Sequence, residues 1–221
     1  MWCIGTINSA YIARMEDVLS LYEEAYDPEY PVVCFDETSK QLIEEKRQVI
    51  PAKAGQPERY DYEYKRNGTA NLFICFEPLA GKRTITVTER RTKQDFAKQM
   101  EALVQRYPNA KKIRLVLDNL NTHTEAALYD TFKPKKARKI LARLEFHYTP
   151  IHASWLNMAE IEINVLNNQC LDRRIPTSDL LTSEVEAHET YRNYKKATVN
   201  WQFTCADARR KLARHYPSLE S

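Results

Sequence analysis

The sequence predicts an α/β protein: a mixed sheet of about five strands with helices on both faces. Three observations carry that expectation. The run 112–118, Lys-Ile-Arg-Leu-Val-Leu-Asp, is aliphatic up to an acid and passes at once into turn-forming residues. The run 31–36, Pro-Val-Val-Cys-Phe-Asp, repeats that grammar and ends on Asp36. Between and after them, segments of period two (64–88) give way to segments of helical period (92–107 and 155–169).

In chain order, residues 10–26 carry a helical stripe of Ile12, Met15, Leu19 and Tyr22, stopped by Asp27-Pro28. The strand to Asp36 follows. Residues 37–58 are polar and interrupted by Pro51 and Gly55-Gln-Pro57, which predicts an irregular excursion holding at most one strand. Tyr60, Tyr62 and Tyr64 alternate with charges, and Asn67-Gly68 predicts a hairpin turn before an apolar strand over 69–77. Residues 78–81 make a second turn into the alternating strand 84–88. Thr92 is placed to cap a helix presenting Phe96, Met100, Leu103 and Tyr107. The Asp118 strand comes next, then a short helix (124–131), a basic helix (135–143) and a strand (144–148). Ser154 is placed to cap a helix over 155–169 with Trp155 as a core anchor; a helix over 178–194 and a capped basic helix after Thr204 close the chain.

Composition narrows the function. No apolar run approaches the roughly 20 residues of a membrane helix, and the N-terminus lacks a secretory pattern, so a cytoplasmic protein with no membrane partner is expected. The five cysteines (Cys3, Cys34, Cys75, Cys170, Cys205) form no Cys-x-x-Cys, which argues against a zinc site or disulfide framework. The net charge of +3 is small, but basic residues cluster at Arg90-Arg91, at 133–143 including Lys135 and Lys136, and at 209–214. Such clusters are candidate phosphate contacts.

Two strands that each deliver an aspartate raise the question of a third acid. The helix 155–169 offers Glu160 and Glu162; at about 100° per residue they flank opposite sides of the stripe Leu156, Ala159, Ile163 and Leu166. Periodicity does not choose between them. Three converging carboxylates repel unless a cation sits among them, and hard oxygen donors suit Mg²⁺ or Mn²⁺. Two such ions would support phosphoryl displacement. Asn119, Asn121 and His123 follow the second acid directly. Asn121 and His123 could orient water or grip a phosphate. Asn119 reads more readily as part of a turn capping the next helix, and Glu37 as solvated.

The segments Cys34-Phe-Asp-Glu-Thr38, Leu117-Asp-Asn-Leu-Asn-Thr-His123 and Ser154-Trp-Leu-Asn-Met-Ala-Glu160-Ile-Glu162 resemble, in order, the three catalytic blocks of the insertion sequence 630 family of bacterial transposases, relatives of the mariner transposases. The resemblance extends to Arg66-Asn-Gly-Thr-Ala-Asn-Leu-Phe and Cys170-Leu-Asp-Arg-Arg-Ile-Pro, and runs to about Pro217. It implies a ribonuclease-H-like fold, with Asp36, Asp118 and Glu160 as catalytic and metal-binding acids around Mg²⁺ or Mn²⁺, as two ions. The implied activity is hydrolysis at transposon ends, then attack of the freed 3′-hydroxyl on target DNA. The implied partners are DNA, a second copy in a homodimer, and a separate N-terminal recognition half. The implied division is a helical lead (1–30) and a DDE catalytic domain (31–217) associated with the nucleoid. A catalytically impaired remnant that binds DNA or pairs with an intact transposase is the alternative. Where the family tends to show lysine and glycine, this chain has Ile151-His-Ala153; alanine there is expected to hinder close backbone approach, and His152 joins the candidate DNA contacts.

Overall fold

The computed structural model describes residues 7–59 and 61–216; Cys3, Tyr60 and Pro217 lie outside the described residues. A five-stranded sheet forms its centre: β1 (Val32–Glu45), β2 (Tyr64–Glu77), β3 (Lys82–Thr88), β4 (Ile113–Leu117) and β5 (Leu144–Tyr148). The strand order is β3-β2-β1-β4-β5. The first three strands pair antiparallel, while β1 with β4 and β4 with β5 pair parallel.

Alternation along the strands divides the core in two. Val33 and Phe35 of β1, with Leu115 and Leu117 of β4, face α2 (Lys93–Arg106), α3 (Glu125–Thr131) and α4 (Pro134–Leu141). Cys34 of β1 and Val116 of β4 face the other way, toward α1 (Ser9–Glu23), α5 (Ala159–Leu166), α6 (Ser178–Tyr194) and α7 (Cys205–Lys211). The α/β sheet covered on both faces is therefore as expected. Phe35 is the hub of the first layer, with ring centroids 5.8 Å from Phe73 and 5.5 Å from Phe96. Burying each such ring contributes roughly 1.5–3 kcal/mol. Among the described residues no helix is long and apolar enough to cross a membrane.

Local capping worked as anticipated at two helices. Thr92 and Asp95 form a capping box at α2, and Thr204 and Asp207 form one at α7. Three expectations need correction. The first strand does not end at Asp36; β1 continues to Glu45 as one arm of a long hairpin whose outer half leaves the core and is polar. Asn67-Gly68 is not a turn. It lies within β2, where the register slips between Gln41 and Ile43, and Gly68 takes φ +102° in a bulge. The glycine signal for positive φ was read correctly and assigned to the wrong motif. The turn itself falls at 54–55, with Lys53 and Gln56 bonded across it and Gly55 at φ +76°.

The third correction concerns 155–169, which is not one helix. Ser154–Leu156 is a 3-10 turn, α5 begins at Ala159, and Asn167–Leu171 widens into a π turn. Ser154 caps nothing; the Asn157 side chain accepts from the Ala159 N–H at 3.1 Å instead. Trp155 does anchor the core, 5.8 Å from Phe203 and 6.5 Å from Trp201 by ring centroids. Ala153 is buried with φ −122°, a backbone any residue adopts, so its methyl group is accommodated without strain.

Candidate active site

The last parallel pair between β1 and β4 is Cys34 with Val116. Two residues beyond each stand Asp36 and Asp118, so alternation carries both toward the same face as Cys34 and Val116. That face is the one α5 covers, and Glu160 enters from its first turn. Asp36 is within β1 and Asp118 directly follows β4. The three segments thus meet at one lip of the sheet.

Asp36 is 7% exposed. Its Oδ1 accepts the Glu37 N–H at 2.8 Å, and its Oδ2 accepts from Asn157 Nδ2 at 3.2 Å. Burial pushes its carboxyl up to about 7; the Glu37 N–H opposes this, and the Glu160 and Asp118 charges add to it. Glu160 is exposed at the surface of α5. Its carboxyl is also raised, by partial burial first and by Asp118 after it, against the Ser154 hydroxyl. Asp36 is thus close enough to sense both other acids, and Glu160 to sense Asp118.

Glu162, the other candidate, is 0% exposed and points elsewhere. Arg192 holds it with two bonds of 3.1 and 2.9 Å, and Arg83 Nε lies 3.1 Å from its Oε1. It ties α5 to α6 and β3. The periodicity left two glutamates open; their partners separate them.

Beneath Asp118 sits a buried relay. His123 Nδ1 lies 2.5 Å from Asp118 Oδ1, and Nε2 lies 2.8 Å from Glu37 Oε2. The imidazole is 1% exposed and packs against Phe35 and Phe96. His123 is therefore not offered to DNA, and Glu37 is not solvated; both correct the sequence expectation. Burial alone would push the imidazole down, but bonds to Asp118 and Glu37 outweigh it and lift it to about 9. A raised histidine contributes stability that is complete below its unfolded value and lost as pH rises through the folded one. In EDTA the melting temperature should fall between pH 6.5 and 9, and the slope should flatten in His123→Gln; an unchanged slope would contradict the buried relay.

Asn157 is a positioning residue that sequence reasoning passed over. It is buried, and Nδ2 donates to Phe35 O at 2.8 Å as well as to Asp36. The remaining candidates are spread out. Arg90, Arg91, Lys135 and Asn121 are exposed. Lys136 is engaged, 2.6 Å from Glu101 and 4.2 Å from the Phe132 ring centroid. His152 is exposed at φ +63°. Asn119 is exposed and does not cap α3, whose N-cap is Thr124.

The donor set fits a hard divalent cation: three carboxylates, one lifted to about 7 by burial and its neighbours. A cation among them would reverse that lift. Among the described residues, however, no three His, Cys, Asp or Glu side chains are already gathered tightly enough to close on one ion.

A sequence model of the family described as DDE superfamily endonuclease matches residues 31–182, more than half the chain and a span that includes all three acids. The chain belongs to the DDE superfamily endonuclease family. Solved structures similar to this DDE domain include the Mos1 strand transfer complex (TM-score 0.61, 14% identity, covering 100% of this chain and 66% of that one). The Mos1 mariner paired-end complex with Mn is comparable (TM-score 0.60, 15% identity, 100% and 67%). So is the Mos1 paired-end complex with left transposon end (TM-score 0.57, 15% identity, 89% and 61%). At such identities the likeness establishes the fold alone. The DDE domain spans 61% of the length of the last of these chains. No curated protein sequence matches it.

Proposed function

We propose that this DDE domain is the catalytic part of an insertion sequence 630 type transposase, cutting DNA at transposon ends and joining the freed 3′-hydroxyl to target DNA. The observation that carries the reading is the placement of Asp36 and Asp118 on one face, two residues past the final β1–β4 pair, under the Glu160 end of α5. Two Mg²⁺ or Mn²⁺ ions held by these acids would activate the attacking oxygen and offset charge on the leaving one. The chain's own residues hold the acids in place. Asn157 and the Glu37 N–H fix the two oxygens of Asp36. His123 fixes Asp118 from below, leaving its second oxygen free of that contact. Glu160, exposed at the rim, completes the acidic lip. That complexes of Mos1 with Mn and with Mg have been solved supports the metal assignment. DNA, a homodimeric partner and a separate recognition half belong to the same proposal.

The test is to incubate the purified chain with supercoiled plasmid carrying the element's ends and Mn²⁺, with and without a separately expressed recognition half. End-directed nicks and strand-transfer joints are expected. Cutting without joints would make it a plain nuclease. A catalytically impaired remnant is the second reading, favoured by Ile151 and Ala153 in the segment where the family tends to show lysine and glycine, since a lost lysine removes a phosphate contact. Intact binding without any cutting would support it.

A further inference from the structure

Beside the acidic lip lies a cavity of about 310 Å³ that the three acids do not use. One wall is the first turns of α1, with Asn8, Tyr11 and Arg14; the other is Asn119, the residue after Asp118, with Ile151 and His152. Its polar lining is cationic or neutral throughout. Three other cavities of comparable size each expose carboxylates: Asp172 and Glu184 in one, Glu45 and Glu58 in another, Glu24 and Asp27 in the third. Of these four cavities this one alone has no acid in its lining.

Arg14 adds a second observation. It is half-buried and makes no ion pair among the described residues. Of the other half-buried or buried arginines, Arg83, Arg114, Arg174 and Arg192 are each matched to a carboxylate, and Arg143 bonds the backbone carbonyls of Tyr107 and Ala110. Partly desolvating a guanidinium without a partner is unfavourable, and a planar fork of donors is well shaped to grip phosphate. The remaining wall is flat and apolar. Ile151, 61% exposed, lines it together with Ala10 and Pro150.

We infer that this cavity is a nucleotide subsite, which seats one nucleotide of the strand adjoining the scissile phosphate. Its phosphate lies on Arg14, Asn119 and His152, and its base lies against Ile151 and Pro150. The assignment of that strand rests on the transposase reading; the binding itself does not. Packing against an apolar wall with one phosphate contact reads no base edge, so it gives sequence-tolerant binding.

Binding is measured in EDTA, where no cutting occurs, by fluorescence anisotropy of a short fluorescein-labelled single-stranded DNA over a salt series. Arg14→Ala should weaken binding about tenfold and reduce the salt slope by about one. Lys98→Ala makes the same charge change on the exposed face of α2 and should alter affinity little. Arg14→Lys, which keeps the charge and guards against a folding artefact, should recover part of the loss. Thymidine 3′,5′-bisphosphate titrated into ¹⁵N-labelled protein should shift the amides of Tyr11, Asn119 and His152 at concentrations where inorganic phosphate does not. The subsite is overturned if Arg14→Ala behaves like Lys98→Ala, or if inorganic phosphate reproduces the bisphosphate shifts. A chain that binds through Arg14 yet never cuts DNA would sink the transposase reading alone; one that cuts with no dependence on Arg14 would sink the subsite alone.

Discussion

Asp118→Asn is expected to lower Mn²⁺-dependent DNA cleavage by at least about a thousandfold, since several kcal/mol of charge stabilisation depend on that carboxylate. The fold should survive. Asparagine keeps an oxygen that can accept from His123 Nδ1, and Asp118 is only partly buried. Asp36→Asn should abolish cleavage as well, with a distinct signature in stability. The Asp36 carboxyl is pushed up to about 7, so the native state holds its proton more tightly than the unfolded chain, and stability falls as pH rises from about 4 through 7. Removing that charge should therefore raise the melting temperature at pH 8 in EDTA and do little at pH 5. Cleavage at wild-type rate in either variant would remove these acids from the chemistry.

The second large effect separates two glutamates that sit on the same turn of sequence. Glu162→Gln should destabilise the protein by about 3–5 kcal/mol in urea denaturation, because it leaves two arginines beside a neutral amide in a site closed to water. Burial already pulls Arg83 below its ordinary value, and the Glu162 charge is what opposes that pull. Arg83 also bonds Asn193 and Ala197 O and lies 5.1 Å from the Phe76 ring centroid, so it cannot swing out to solvent cheaply. Glu160→Gln, at an exposed position, should leave stability nearly unchanged and remove cleavage. If the two variants exchanged these phenotypes, the assignment of the third acid would be reversed.

What the sequence made legible was local. The caps at Thr92 and Thr204, the 78–81 turn and the β4 run into Asp118 depend on residues a few positions apart, and each was readable. The outer half of β1 was not, because its polar residues pair with an equally polar stretch of β2 beyond the core and so lack a buried stripe. Asn67-Gly68 carried a true signal for positive φ that a hairpin turn and a bulge share. The supports of the acids were hidden for another reason. Asn157 meets Phe35 and Asp36 across more than a hundred residues, and Glu37 meets His123 only once the sheet and its crossover have formed. Periodicity could place Glu160 and Glu162 on either flank of α5, yet only the partners on β3 and α6 reveal which is taken.

The most direct measurement is an anomalous-scattering map from crystals of this chain soaked in Mn²⁺. A site formed by Asp36, Asp118 and Glu160 predicts a peak, or a close pair of peaks, ligated by all three carboxylates and lost in Asp36→Asn. Manganese bound elsewhere, or none at the lip of the sheet while the crystal takes it up at other positions, would contradict it.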